Sequence, residues 1–262
     1  MNILIIGNPN RDLAALIKKS KYTDKIYTAI NNEHSEFPNV EYRNFNELVQ
    51  KAIALKIDIA INIDKILTKN GIAEAMKSSK INLISVNKKW FNLEEARLSA
   101  KKLLNHYNIN TPQLVRLPLN FPVMIKTDSP GNDYIANSMQ DVVSKMEDWQ
   151  DQSIFYEEYI EGCLFNLYSI WDKKNIKYFY SDKNLSEVQK ERLDLMKTKL
   201  NFMFSDEKAD FTGIFSTNLV WYKNDWYVKG FDMGATIPSD CIGGMDFIYI
   251  LNSAIYQKLG EI

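Results

Sequence analysis

Four short apolar runs in the first ninety residues constrain the fold of this chain more than any other feature. They cover residues 2–7, 25–30, 58–63 and 81–86. The segments between them, such as RDLAALIKKS and FNELVQKAIALK, carry apolar residues at helical spacing. Strands buried on both faces that alternate with helices are typical of a parallel sheet with right-handed crossovers. We therefore predict a small Rossmann-like domain over residues 1–90.

The loop after the first run lacks the fingerprint of a dinucleotide site. Gly7 is followed by Asn8-Pro9-Asn10, whereas dinucleotide-binding Rossmann domains carry GxGxxG at this point. The sequence therefore does not predict NAD or FAD binding.

A helix and a proline-containing segment follow the predicted sheet. Residues 92–107 carry a continuous apolar face, with Asn92 as the predicted cap and Glu95 completing a capping box. Three prolines interrupt residues 108–122, as expected at the edge of a domain. We predict a connecting segment over residues 91–118.

The second half of the chain has a different pattern, with strands that alternate between apolar and polar residues. The predicted strands end in a hairpin over residues 213–232, with a turn around Lys223-Asn224-Asp225. Helices are predicted over residues 138–149 and 186–203. The remaining predicted strands cover residues 122–128, 153–162, 164–172 and 176–182. This order predicts an α+β domain over residues 119–262.

Charge and cysteine content limit the class of partner and compartment. The formal net charge is −1, with 32 basic and 33 acidic residues, so nothing favours binding to nucleic acid or to an anionic membrane. No apolar run approaches the roughly 18 residues of a membrane span. Cys163 and Cys241 lack CxxC spacing, which fits a reducing compartment. We expect a cytoplasmic monomer or homodimer that acts on small molecules.

Four segments, taken in order, resemble a known superfamily. The runs NLEEARLSAKKLLNHYNINTP, PVMIKTD, IFYEEYIEG and YVKGFD resemble the ATP-grasp proteins, and within them the glycinamide ribonucleotide synthetases (phosphoribosylamine–glycine ligases). The opening NILIIGNPNRDLAA is also similar to the start of that family. The resemblance implies an α/β fold class, in which a Rossmann-like pre-ATP-grasp domain precedes an α+β ATP-grasp domain of two subdomains. The family's C-terminal domain has no counterpart in this sequence.

The resemblance assigns the nucleotide to the segment IFYEEYIEG. It implies that Glu157 and Glu158 lie near the exocyclic amine of adenine, and that Tyr159 and Ile160 supply apolar contact and backbone hydrogen bonds. The alternative interpretation is an edge strand whose two adjacent carboxylates are solvated.

Two cations are implied to contact the phosphates of ATP. Lys126 ends the strand PVMIK and matches a lysine that reaches the α-phosphate, while Arg97 replaces a family lysine that also faces phosphate. Taken alone, each fits a solvated surface position. The loop that follows Lys126 contains one glycine, Gly131, and a proline without an N–H group. It therefore predicts a poor backbone cradle for the terminal phosphates.

The metal site departs furthest from the family pattern. The family carries Glu-Phe-Asn and then an arginine two residues later, whereas this chain has Gly230-Phe231-Asp232 and Gly234. Asn218 and Asp232 remain as candidate ligands for a single, weakly bound Mg²⁺.

The substrate loops have also changed. Arg11 and Asp12 keep the charge order of a family Arg-Glu pair, Asp64 stands roughly where the family has a glutamate, and Asn31-Asn32 replace a turn of the family. The resemblance implies amide formation from a carboxylate and an amine through an acyl phosphate, with weakened or altered activity. The alternative is a noncatalytic nucleotide-binding or regulatory protein descended from such a ligase.

Overall fold

The computed structural model describes residues 1–30, 36–77, 79–116 and 120–262; Asn31 and Asn32, in the segment that replaces a family turn, lie outside them. The N-terminal part is built on a parallel sheet with strand order β2-β1-β3-β4. Its strands are β1 (Asn2–Ile6), β2 (Lys25–Ala29), β3 (Ile59–Asn62) and β4 (Asn82–Ile84). The predicted parallel sheet is confirmed.

Four helices connect these strands. They are α1 (Arg11–Lys19), α2 (Phe45–Ala54), α3 (Lys65–Lys69) and α4 (Ile72–Met76). The side chains of Asn10, Asn44 and Asp64 accept hydrogen bonds from the first turns of α1, α2 and α3, which satisfies amides that have no partner within a helix. Gly71 separates α3 from α4 because it takes a left-handed φ of 87°, a conformation in which a helix cannot continue.

The single helix predicted over residues 92–107 is wrong. Two helices occupy this region, α5 (Lys88–Glu95) and α6 (Arg97–His106), and Asn87 rather than Asn92 caps the first. The helix breaks at Ala96 (φ −120°, ψ 74°). Asp128, from a distant strand end, caps α6 instead: its carboxylate accepts from the Leu98 amide at 2.8 Å. A cap supplied from elsewhere in the chain leaves no local sequence signal.

The C-terminal part contains two antiparallel sheets. The first has the order β5-β8-β6-β7, and α7 (Met139–Asp148) follows its strand β7. Its strands are β5 (Leu114–Val115), β6 (Val123–Thr127), β7 (Asp133–Ala136) and β8 (Ile154–Glu158).

The second antiparallel sheet has the order β10-β9-β11-β12. Helix α8 (Glu187–Asp206) lies between β10 and β11 in the chain, and α9 (Phe247–Ile255) follows β12. The strands are β9 (Leu164–Trp171), β10 (Ile176–Phe179), β11 (Gly213–Tyr222) and β12 (Asp225–Met233).

A bulge interrupts the hairpin of β11 and β12. Leu219 pairs with Val228 and Asn218 pairs with Gly230, so Lys229 is an extra residue on β12. A bulge bends a strand and redirects its side chains, and bulges are common beside functional sites. The tip of the hairpin is the two-residue turn Lys223-Asn224, with φ of 48° and 60°.

Four apolar clusters hold the sheets among the described residues, and two of them include the second antiparallel sheet. Trp171 and Phe215 of the second antiparallel sheet pack with Phe204 of α8 and with Trp90 of α5. A second core joins the parallel sheet to that antiparallel sheet through α9, whose Leu251 belongs to it. The site described below therefore lies within a packed frame. No helix in the described part of the chain is long and apolar enough to cross a membrane.

Candidate functional site

A cleft of about 380 Å³ lies between the two antiparallel sheets and against α5 and α6. Apolar side chains form part of its wall, among them Leu104, Phe155, Leu164, Val228 and Phe231. The predicted site residues that line it are Arg97, Lys126, Glu157, Asn218 and Asp232. These five residues are far apart in sequence, and the fold brings them to one cavity.

The centre of the cleft is a buried ion cluster. The Glu157 carboxylate, 2% exposed, lies 2.6 Å from Lys126 Nζ and 2.9 Å from Lys101 Nζ. Lys101 also donates to Thr111 Oγ1 and to the Pro112 carbonyl. Burial lowers the pKa of Lys101, although the Glu157 carboxylate opposes that shift. One carboxylate shared by two ammonium groups leaves an excess of one positive charge inside the protein.

Side chains along β8 point alternately to its two faces, which explains how the strand carries two adjacent glutamates. Phe155 and Glu157 face the cleft, while Tyr156 packs in a separate apolar cluster on the other face. Glu158 also points away: its carboxylate accepts from the Gln113 amide at 3.1 Å. Successive side chains of a strand point to opposite faces, so the two carboxylates have different environments.

The other three residues predicted to contact adenine, Glu158, Tyr159 and Ile160, do not line the cleft. Glu158 and Tyr159 are half-buried, and Ile160 is buried in the protein. Of the four residues predicted to contact adenine, Glu157 alone lies in the cleft wall, and there its carboxylate binds two lysines. The adenine contact of residues 158–160 stays a prediction.

Two further cations differ in how they are paired. Arg97, at the start of α6, pairs with Asp133 of β7. Lys229, at the bulge of β12, lines the cleft, and among the described residues no ion pair joins it to a carboxylate. Burial lowers the pKa of Lys229, and the nearby Lys126 ammonium lowers it further. Lys229 is therefore a cation whose charge an anionic ligand would stabilise.

The opposite end of the cleft is acidic. Glu94 of α5 and Asp232 of β12 both line it, and Lys65 of α3 lies 2.7 Å from a carboxylate oxygen of each. Burial opposes the charged form of Lys65, but its contacts with the two carboxylates outweigh burial and raise its pKa. Asn218 lines the same cleft, opposite Gly230 in the hairpin register.

These residues do not form a divalent metal site as they stand. Mg²⁺ requires near-octahedral oxygen ligands at 2.0–2.1 Å. Both oxygens of Glu94 are already engaged, one by Lys65 and one by the Met233 amide at 2.8 Å, and Lys65 also holds Asp232. The described residues contain no cluster of three or more His, Cys, Asp or Glu side chains able to hold a metal ion. The two predicted metal ligands, Asn218 and Asp232, do line the same cleft. The Asp232 carboxylate, however, is already paired with the Lys65 ammonium group.

The three predicted substrate residues lie outside the cleft, at the carboxyl edge of the parallel sheet. Arg11 and Asp12 begin α1 and are exposed, and Asp64 caps α3 directly after β3. Gly7 permits this arrangement, because a Cβ at that position would lie 3.1 Å from the Asp64 amide. Ligands of α/β proteins commonly bind at this edge. Lys65 follows Asp64, and its ammonium group contacts Glu94 and Asp232 of the cleft wall.

Sequence reasoning missed three charged residues of the cleft wall, Glu94, Lys101 and Lys229. It also missed Lys65, which contacts Glu94 and Asp232. One of them had a usable signal, because Lys101 follows Arg97 by four residues and so lies on the same helix face. Lys229 carried no such signal, since the bulge that directs it depends on strand register.

Known proteins of similar sequence and structure were compared with the chain. No protein-family model matches it. A phosphoribosylamine–glycine ligase from Fusobacterium nucleatum is 20% identical over all of this chain and 75% of its own length. The crystal structure of a phosphoribosylamine–glycine ligase from Thermotoga maritima superposes with a TM-score of 0.75 at 12% identity, covering 98% of this chain and 76% of that one.

The chain has the ATP-grasp fold. A D-alanine–D-alanine ligase from Bacillus anthracis, solved in complex with ATP, also superposes with it, with a TM-score of 0.66 at 16% identity over 100% of this chain and 97% of that one. The predicted resemblance to the phosphoribosylamine–glycine ligases is confirmed, as is the order of a parallel-sheet domain followed by an α+β ATP-grasp domain.

Proposed function

We propose that this protein binds ATP in the cleft between its two antiparallel sheets and is an ATP-grasp carboxylate–amine ligase with altered activity. The proposal carries over from relatives that are phosphoribosylamine–glycine ligases and from a similar structure solved with ATP. Its substrates would be small molecules, one with a carboxylate and one with an amine.

The buried ion cluster is the observation that carries the proposal. Lys101 and Lys126 share the single carboxylate of Glu157, and Lys229 has no carboxylate partner among the described ion pairs. Burying a charge without a compensating partner costs free energy. A cation in the cleft wall that has no carboxylate partner therefore favours the binding of an anionic ligand. The phosphates of a nucleotide supply that charge, and the apolar wall suits its base.

Each cation has a distinct role in this proposal. Lys126, anchored by Glu157 at 2.6 Å, presents a fixed ammonium to the phosphates. Lys229 adds a second charge, and its pKa rises when phosphate binds beside it. Arg97 remains tied to Asp133 and contributes a neutral pair. Fixed positive groups also stabilise the charge that develops during phosphoryl transfer.

A noncatalytic nucleotide-binding protein is the second candidate, and Gly230 favours it. The resemblance places a metal-binding glutamate at this position, and glycine offers no carboxylate. Losing one preorganised electrostatic group commonly costs about 10²–10³ in rate. The two candidates agree on binding and differ on turnover.

Calorimetric titration tests the shared part of both candidates. ATP and ADP are titrated into the full chain, with Mg²⁺ and separately with EDTA. We expect one nucleotide per chain and an affinity that changes little when Mg²⁺ is removed. The proposal would be contradicted if ATP gave no heat of binding and also failed to displace a fluorescent ATP analogue from the protein.

A turnover assay then separates the ligase from the noncatalytic protein. Phosphate release from ATP is measured with phosphoribosylamine and glycine, and then with other amine and carboxylate pairs. We expect very weak or no formation of glycinamide ribonucleotide. Its formation at ordinary enzymatic rates would contradict the altered activity, and ATP binding without phosphate release for any pair would favour the noncatalytic candidate.

A further inference from the structure

A lysine bridges two carboxylates at the acidic end of the cleft. Lys65 Nζ lies 2.7 Å from Glu94 Oε1 and 2.7 Å from Asp232 Oδ1. The two acids come from α5 and β12, whereas Lys65 comes from α3 in the parallel-sheet domain. The three residues thus join three separate elements at one point.

The backbone of Lys65 is held at the start of its own helix. Lys65 is the first residue of α3, and the neighbouring Asp64 caps that helix by accepting from the Leu67 amide at 3.0 Å. Glu94 is the more constrained partner, because its side chain is only 12% exposed, whereas the Asp232 side chain is 42% exposed although its Oδ1 atom is buried. The Asp232 contact is an ion pair, while Glu94 also accepts a directed hydrogen bond from the ammonium.

We propose that Lys65 is a built-in cation that takes the place of a divalent metal ion at this end of the cleft. Two carboxylates within reach of one ammonium group repel each other unless a cation lies between them. In a metal-dependent site, that cation comes from solution. Here the chain supplies it, and an incoming divalent ion would have to displace Lys65. It follows that nucleotide binding in the cleft needs little metal ion, and this consequence rests on the proposed function.

Manganese titration tests the inference without any nucleotide. Mn²⁺ binding to the full chain is measured by electron paramagnetic resonance for the wild type, for Lys65→Met and for Lys69→Met. Lys69 is the matched control, because it lies one turn later on α3 and pairs with Glu95 near the surface. We expect Lys65→Met to bind Mn²⁺ at least tenfold more tightly than the wild type, and Lys69→Met to match the wild type.

Thermal unfolding gives an independent measurement on the same three proteins. We expect Mg²⁺ at millimolar concentration to raise the melting temperature of Lys65→Met and to leave the other two unchanged. If Lys65→Met does not fold, Lys65→Gln, which keeps a polar side chain, replaces it in both measurements.

Two results would overturn the inference. One is tight Mn²⁺ binding by the wild type, since Lys65 would then not exclude a metal. The other is equal Mn²⁺ affinity in the Lys65 variant and the wild type. Because no nucleotide is present, neither result depends on whether the cleft binds ATP, so a failure here is distinct from a failure of the proposed function.

Discussion

Replacement of Glu157 by glutamine should destabilise the protein strongly. The Glu157 side chain is 2% exposed, and its lysine partners are only 6% and 7% exposed. Glutamine keeps the shape but removes the charge that compensates both ammonium groups. Removing one partner of a buried ion pair typically costs about 3–5 kcal/mol. Because Lys126 borders the cleft and can recruit water, we expect the lower end, about 3 kcal/mol, which is a large part of a typical stability of about 5–15 kcal/mol.

The assay is denaturant or thermal unfolding of Glu157→Gln beside Glu158→Gln. Glu158 is the neighbouring residue on the opposite face of β8, is half-buried, and accepts its hydrogen bond from a backbone amide. Glutamine can accept the same bond, so we expect a loss below about 1 kcal/mol. For a chain of this size, the Glu157 variant should unfold about 6–12 °C lower than the wild type.

The loss should also depend on pH. The pKa of Lys101 is lowered in the folded protein from its usual 10.5, so the unfolded chain binds more protons between the two values. Stability therefore rises with pH in that window. Without Glu157 the folded pKa of Lys101 falls further, so the window extends to lower pH. We expect the deficit of Glu157→Gln to shrink as the pH rises towards 10.5. Equal losses in the two glutamine variants, independent of pH, would refute the reasoning.

Three further predictions concern the ligand. Lys126→Ala should weaken ATP and ADP by about 1.5–3 kcal/mol, roughly ten- to 150-fold in calorimetry, because a charge-assisted hydrogen bond is lost. The pKa of Lys229 is lowered from its usual 10.5 by burial, so in the wild type ATP affinity should begin to fall at a pH below 10.5 as Lys229 loses its proton. Lys229→Arg should remove this dependence, and Lys229→Met should start from lower affinity. Gly230→Glu should fold, since nothing lies within 4 Å of the added Cβ, and should make ATP binding more dependent on Mg²⁺ as measured by calorimetry.

The architecture was predictable because it depends on patterns that are local in sequence. The apolar runs of β1 and β3 and the helical spacing of α1 identify the parallel sheet without any knowledge of contacts. The break between α5 and α6 was not predictable, because the cap on α6 comes from Asp128, thirty residues later. A continuous apolar face predicts one helix here, whereas the distant cap allows a second helix to begin at Arg97.

The site was predictable in part for the same reason. Lys126, Glu157 and Asp232 were found because each ends or occupies a strand with a resemblance to a known motif. Their partners are brought to them by tertiary packing: Lys65 carried no sequence signal, and Lys101 only its spacing from Arg97. The resemblance implied that Gly230 stands where the family has a metal-binding glutamate. It did not show that a lysine reaches the neighbouring carboxylate.

A crystal structure of the full chain with a non-hydrolysable ATP analogue tests the central claim most directly. We predict that the analogue occupies the cleft between the two antiparallel sheets, with phosphate oxygens within hydrogen-bonding distance of Lys126 Nζ and Lys229 Nζ. Lys65 should still bridge Glu94 and Asp232. An analogue bound elsewhere, or bound in the cleft with its phosphates away from both lysines, would contradict the account.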